Sequence, residues 1–94
     1  MACVGVLTLE IGIAGAFSLK DKRMTVNRIR DRVRQRFNVG IAEVDDNEIW
    51  NHACIGVVAI SNDQKHVNEM LSKVADFVRT IHDCELEDFS MEYV

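Results

Sequence analysis

SLKDKRMTVNRIRDRVRQRF, residues Ser18–Phe37, is the stretch from which the fold can be read. Wound at about 100° per residue, it places Leu19, Val26, Ile29, Val33 and Phe37 in one narrow apolar stripe, the pattern of a helix lying on a core. Arg23, Asn27, Arg30 and Arg34 follow one another along a flank, while Arg28, Arg32 and Arg36 cover the solvent side and the other flank. Eight Lys and Arg residues here meet only Asp21 and Asp31, so the helix is a basic rod. Lys22 is the anomaly. Its angle falls on the apolar stripe, where burial of an ammonium is costly, so either the first turn overhangs the core or this lysine has a specific role.

Outward from the helix, Ala2–Ile13 reads as a long strand with Leu7, Leu9, Ile11 and Ile13 on one face and Val4, Val6, Thr8 and Glu10 on the other. Ala14-Gly15-Ala16 turns the chain, and Ser18 is the expected N-cap. Asn38-Val39-Gly40 is expected to close the helix through a left-handed residue. Ile41–Asp45 forms a short strand with Glu43 and Asp45 on one face. Asp46–Asn51 is a polar loop, and Ala53–Ser61 an apolar strand pairing back as a hairpin. Asn62-Asp63 opens a second helix with Val67, Met70, Leu71, Val74, Phe77, Val78 and Ile81 at helical spacing. Glu85–Val94 is a charged last strand. Its inward face is open at this point, because Leu86, Phe89, Met91 and Tyr93 do not share one parity, and a bulge would reconcile them.

The order β-α-β-β-α-β with right-handed crossovers predicts an α+β fold, the ferredoxin-like sandwich: a four-stranded antiparallel sheet in the order 4-1-3-2 with both helices on one face. Ninety-four residues suit a single domain, 1–94. The first and third strands are apolar on both faces and belong in the centre, while the carboxylate-bearing second and fourth belong at the edges. Val4, Val6 and Thr8 are then left on the uncovered face, a candidate surface for self-association as a homodimer.

The net charge of −4 hides a division, since residues 1–40 carry +5 and residues 41–94 carry −9. Such a dipolar molecule is not an indiscriminate polyanion binder, but it can make an oriented contact with a phosphate backbone. Ser18, Lys20, Lys22, Arg23, Asn27, Arg30 and Arg34 are the candidate contacts. The competing reading is a solvated arginine face balanced by acids folded against it. Met1–Cys3 lacks a basic start and Glu10 interrupts the first apolar run, so a cytoplasmic protein without a membrane segment is expected.

SLKDKR (Ser18–Arg23), followed by RFNV (Arg36–Val39), AEV (Ala42–Val44), Trp50, Ala53 and IGV (Ile55–Val57), resembles the YlxP-like family of small bacterial proteins of unknown function over nearly the whole chain. Gly40 stands where a serine is more usual, and Asn51-His52 where Gln-Arg is. The resemblance implies a ferredoxin-like fold. It also implies a link to RNA or the ribosome, through the family's usual gene neighbourhood beside translation and ribosome-maturation factors.

Chemistry is sparse. RNA-recognition domains of this topology stack bases on aromatic side chains of the central strands, yet Val4–Ile11 and Ala53–Ile60 contain none. The acylphosphatase loop after the first strand needs an arginine that Gly12–Phe17 lacks. Cys3, Cys54 and Cys84 have no C-x-x-C or paired-His spacing and read as free thiols, not as metal ligands or nucleophiles. His52, His66 and His82 stand apart, each expected to be solvated or locally hydrogen-bonded. Asp45-Asp46 and Glu87-Asp88 read as solvated edge carboxylates, and Trp50 as a plug at one end of the core. The expectation is a non-enzymatic protein with no metal or small-molecule cofactor, acting on RNA or the ribosome through its first helix. The alternative is a protein-interaction or small-ligand regulatory module that self-associates through its open sheet.

Overall fold

The computed structural model describes residues 1–94. It contains β1 (Cys3–Gly12), α1 (Leu19–Arg36), β2 (Gly40–Asp45), β3 (His52–Ser61), α2 (Gln64–Val78) and β4 (Glu85–Tyr93). The strands form one antiparallel sheet in the order β2-β3-β1-β4, which is the expected ferredoxin-like topology. Along β1 and β3 the cross-strand pairs Leu7–Val57, Leu9–Ile55 and Ile11–Ala53 are fully buried. They share one cluster with Val26, Ile29 and Val33 of α1 and Val67, Leu71, Val74 and Val78 of α2. Both helices therefore cover this inner face, and Val4, Val6, Thr8 and Glu10 point to the open outer face. Gly5 lies where α2 crosses β1. A Cβ there would come within 2.6 Å of Val67 and 2.9 Å of Leu71.

Local chemistry sets the helix ends. The Ser18 hydroxyl accepts from the Asp21 amide and the Asp21 carboxylate accepts from the amide of Phe17, the residue before the cap, both at 3.1 Å, and together they start α1. Asp63 caps α2 by accepting from the Lys65 amide at 3.0 Å. The expected left-handed end of α1 is not formed: Phe37 leaves the helix in an extended conformation (φ −132°), and Asn38 and Gly40 have no positive φ. The Phe37 ring packs edge-on against Phe77 of α2 at 5.9 Å between centroids, and this anchor fixes the exit without a special backbone. Trp50 does not plug the core. It is 45% exposed in the β2–β3 loop.

Two bulges shape the outer face. Against β1, the register of β4 shifts between Glu10–Asp88 and Ile11–Leu86, leaving Glu87 as the extra residue. This brings Leu86, Phe89, Met91 and Tyr93 opposite Ile11, Leu9, Leu7 and Gly5, all on the inner face, which resolves their mixed parity. Against β3, the register of β2 shifts between Glu43–Ile55 and Asp45–Cys54, with Val44 extra. Glu43 and Asp45 thus do not share a face as their spacing suggested. Glu43 lies on the inner face beside Ile41, and Asp45 stands opposite outward-facing Cys54.

Candidate functional site

The first turn of α1 and the β2–β3 loop decide what the basic helix can offer. Lys22 is 1% exposed and is not available to a phosphate, which corrects its place among the candidate contacts. Its stem continues the apolar stripe beneath the helix. Its Nζ lies 2.7 Å from Glu43 Oε2 in an ion pair that lacks the angles of a directed hydrogen bond, and it donates to the backbone carbonyl of Asp46. The anomalous lysine is an internal tie from α1 to the β2–β3 loop, whose Asp46 takes a left-handed conformation (φ 61°).

The remaining flank residues lie together beside the β2 edge. Ser18, Lys20, Arg23, Asn27 and Arg34 are exposed and Arg30 is half-buried. Ser18 is engaged as the N-cap, so its hydroxyl has one partner already. Arg34 Nη2 donates a long hydrogen bond, 3.4 Å, to the Ile41 carbonyl, which lays the ridge along β2. The other flank is occupied: Arg28 Nη2 donates to the His82 carbonyl at 2.8 Å and lies 3.5 Å from Asp83, and the Arg36 guanidinium stacks over Phe77 at 4.6 Å. Arg28 is a strut to the turn before β4 and not the solvent-facing residue its position on the wheel suggested. No carboxylate lies within ion-pair distance of Lys20, Arg23, Arg30, Arg32 or Arg34.

Part of the chain's acid lies across the sheet. Glu10, Asp88, Ser90 and Glu92 lie on the outer face, and at one end of it the two bulges gather a cluster. His52, half-buried at the start of β3, has Nδ1 2.8 Å from Asp46 Oδ2, and Nε2 3.3 Å from Glu87 Oε1 and 3.7 Å from Glu10 Oε1. Buried Cys54 follows two residues along the same face, opposite Glu10. Burial, with the Glu10 carboxylate and then Asp45 and Asp46, pushes its thiol up to about 12. Asp46 and Glu87 are therefore not merely solvated edge carboxylates. Beside the cluster the outer face becomes apolar, with a shallow depression lined by Val6, Ala42, Val44, Gly56 and Val58. Val4, Val6 and Thr8 are half-buried along β1, with Val58 and Ile60 exposed next to them on β3.

No helix is long and apolar enough to cross a membrane. Topology and surfaces together define an α+β, ferredoxin-like domain with a basic helix on one side and an acidic end on the opposite sheet face. A family model described as "Protein of unknown function (DUF503)" matches residues 4–91. The chain is 32% identical over 82 residues to a Bacillus subtilis (strain 168) protein called "Uncharacterized protein YlxP", a match covering 87% of this chain and 89% of that one. It belongs to this family of proteins of unknown function.

Proposed function

We propose that this protein is a non-enzymatic cytoplasmic module that docks one flank of α1, through Lys20, Arg23, Asn27, Arg30 and Arg34, onto the phosphate backbone of RNA or of the ribosome. The observation that carries the reading is that the cations of this flank have no carboxylate partner. Acids folded against α1 meet Lys22 and Arg28, and the flank they leave unpaired is the one that would face a polyanion. Arg23 to Arg34 spans eleven residues, about 16 Å at 1.5 Å per residue, comparable with several backbone phosphates. The flank has no aromatic ring for a base to stack on, so the contact is with backbone and tolerates sequence. Filter binding of a mixed-sequence single-stranded RNA tests it. Arg23→Gln/Arg30→Gln is expected to weaken retention strongly and Arg36→Gln only slightly, since Arg36 is held over Phe77. Equal retention by all three proteins contradicts the reading.

A second reading rests on the apolar part of the outer face. Val4, Val6 and Thr8, continued by Val58, Ile60 and the Val44 depression, form a surface that a second copy of the chain would cover in a two-fold contact. It is compatible with the first, because α1 lies on the other side of the sheet.

A further inference from the structure

We propose that Glu10, His52 and Glu87 form a binding site for a zinc-class divalent cation at the bulged end of the outer sheet face. With Nδ1 hydrogen-bonded to Asp46 Oδ2, a neutral His52 ring carries its proton on Nδ1 and turns the lone pair of Nε2 outward. That lone pair faces the carboxylate oxygens of Glu87 and Glu10, at 3.3 and 3.7 Å. Glu10, Asp46 and His52 each offer a ligand atom within 4.8 Å of one another, and a positive charge beside Nε2 would also be met by the Glu87 carboxylate. Ligands about 2.0–2.2 Å from a zinc ion at tetrahedral angles stand roughly 3.3–3.6 Å apart, and Nε2 stands 3.3 and 3.7 Å from its two carboxylate neighbours. Asp46 behind the imidazole completes the carboxylate–histidine–metal arrangement that fixes the ring and raises its basicity. Lys22 supports this from the core, since its bond to the Asp46 carbonyl holds the left-handed turn that aims the Asp46 side chain.

Two features independent of the His–carboxylate group point to the same place. Gly12 stands opposite His52 on β1, and a Cβ there would meet the Glu87 carboxylate at 2.8 Å. The missing side chain is the cradle across which Glu87 reaches from the edge strand to His52. Cys54, 8% exposed, places a free thiol on the same face as His52 and opposite Glu10, to whose carboxylate it hydrogen-bonds. One imidazole, two carboxylates and a neighbouring thiol favour zinc, or cobalt as its probe, over magnesium or calcium, which take oxygen donors.

Metal-stripped protein titrated calorimetrically with zinc chloride, and separately with magnesium chloride, tests the site. The expected result is one zinc per chain at low-micromolar free metal, and no magnesium uptake at that concentration. His52→Gln and Glu10→Gln should abolish the uptake. Asp46→Asn should weaken it by about 10–100-fold, as loss of an orienting partner does. Gly12→Ala removes no ligand but displaces Glu87, and should also weaken it, whereas Glu92→Gln at the far end of β4 should leave it unchanged. Circular dichroism of each variant reports folding, and Gly12→Ala and Glu92→Gln keep the comparison readable if a ligand variant unfolds. Absence of zinc uptake by the wild type overturns the proposal. Uptake that survives in His52→Gln overturns it as well.

Discussion

Replacing Lys22 isolates a buried interaction that also positions the outer-face cluster. Lys22→Ala removes an ammonium that is 1% exposed, leaves Glu43 (19% exposed) without its counter-ion, deprives the Asp46 carbonyl of its donor and opens a void under the first turn of α1. Breaking a buried pair by deleting one partner costs about 3–5 kcal/mol, and water reaching Glu43 places this one near the lower figure, about 3. For a domain of this length total stability is on the order of 5–14 kcal/mol, and each kcal/mol moves the thermal midpoint by about 4–8 °C. A fall of about 12–24 °C is expected, with a matching loss in urea unfolding followed by far-UV circular dichroism. Lys22→Met/Glu43→Leu removes both charges and keeps the volume. It should cost no more than about 1 kcal/mol, chiefly the unmet Asp46 carbonyl. If Lys22→Ala loses less than about 1 kcal/mol, or the double variant loses as much as the single one, the tie is a surface ion pair and the reasoning fails.

Val33→Ala, on the buried stripe, should lose about 1–3 kcal/mol in urea unfolding, and exposed Arg32→Ala less than about 0.5, so equal losses would mean that α1 is rotated from the orientation described. Gly5→Ala pushes a methyl group against Val67 and Leu71 and should cost about 1–3 kcal/mol by overpacking, readable in the same melts. The thiol of Cys54 is raised from 9.0 to about 12 in the folded chain, so stability is intact below pH 9 and should decline as pH rises from 9 towards 12, where only the unfolded chain loses the proton; Cys54→Ala should remove that part of the decline. Sedimentation at concentrations on the order of tens of micromolar should show a dimer that Val6→Glu/Val58→Glu dissociates, and a wild-type monomer would refute self-association through the outer face.

The helices and central strands were legible because their apolar residues repeat at the helical and alternating periods, and burial follows those periods at Leu7, Leu9, Val26, Val33, Val67 and Leu71. The bulged edges were not legible in full. An added residue at Val44 or Glu87 reverses the alternation beyond it, and only the mixed parity of Leu86, Phe89, Met91 and Tyr93 signalled one of the two. The cluster around His52 gave no spacing signal, since Glu10, Asp46, His52 and Glu87 come from β1, the β2–β3 loop, β3 and β4 and meet only through the register. Lys22 stood out on the wheel as a charge on an apolar stripe. Its partners, 21 and 24 positions further along the chain, did not. The exit of α1 departs from its sequence pattern because Asn38 and Gly40 fit a left-handed cap, whereas packing of Phe37 on Phe77 sets the chain direction there.

The docking of α1 onto phosphate is tested most directly by the salt dependence of RNA affinity in the wild type and in Arg30→Gln/Arg34→Gln. Each neutralised phosphate of a single strand lowers the logarithm of affinity by about 0.7 per decade of salt, so two lost contacts should flatten the slope by about 1.4. Glutamine preserves helix propensity, and the thermal midpoint should change little. A flattened slope with an unchanged fold is the predicted result. A variant with the wild-type slope, or a wild type that binds no RNA at about 50 mM salt, where such contacts are strongest, would contradict the account.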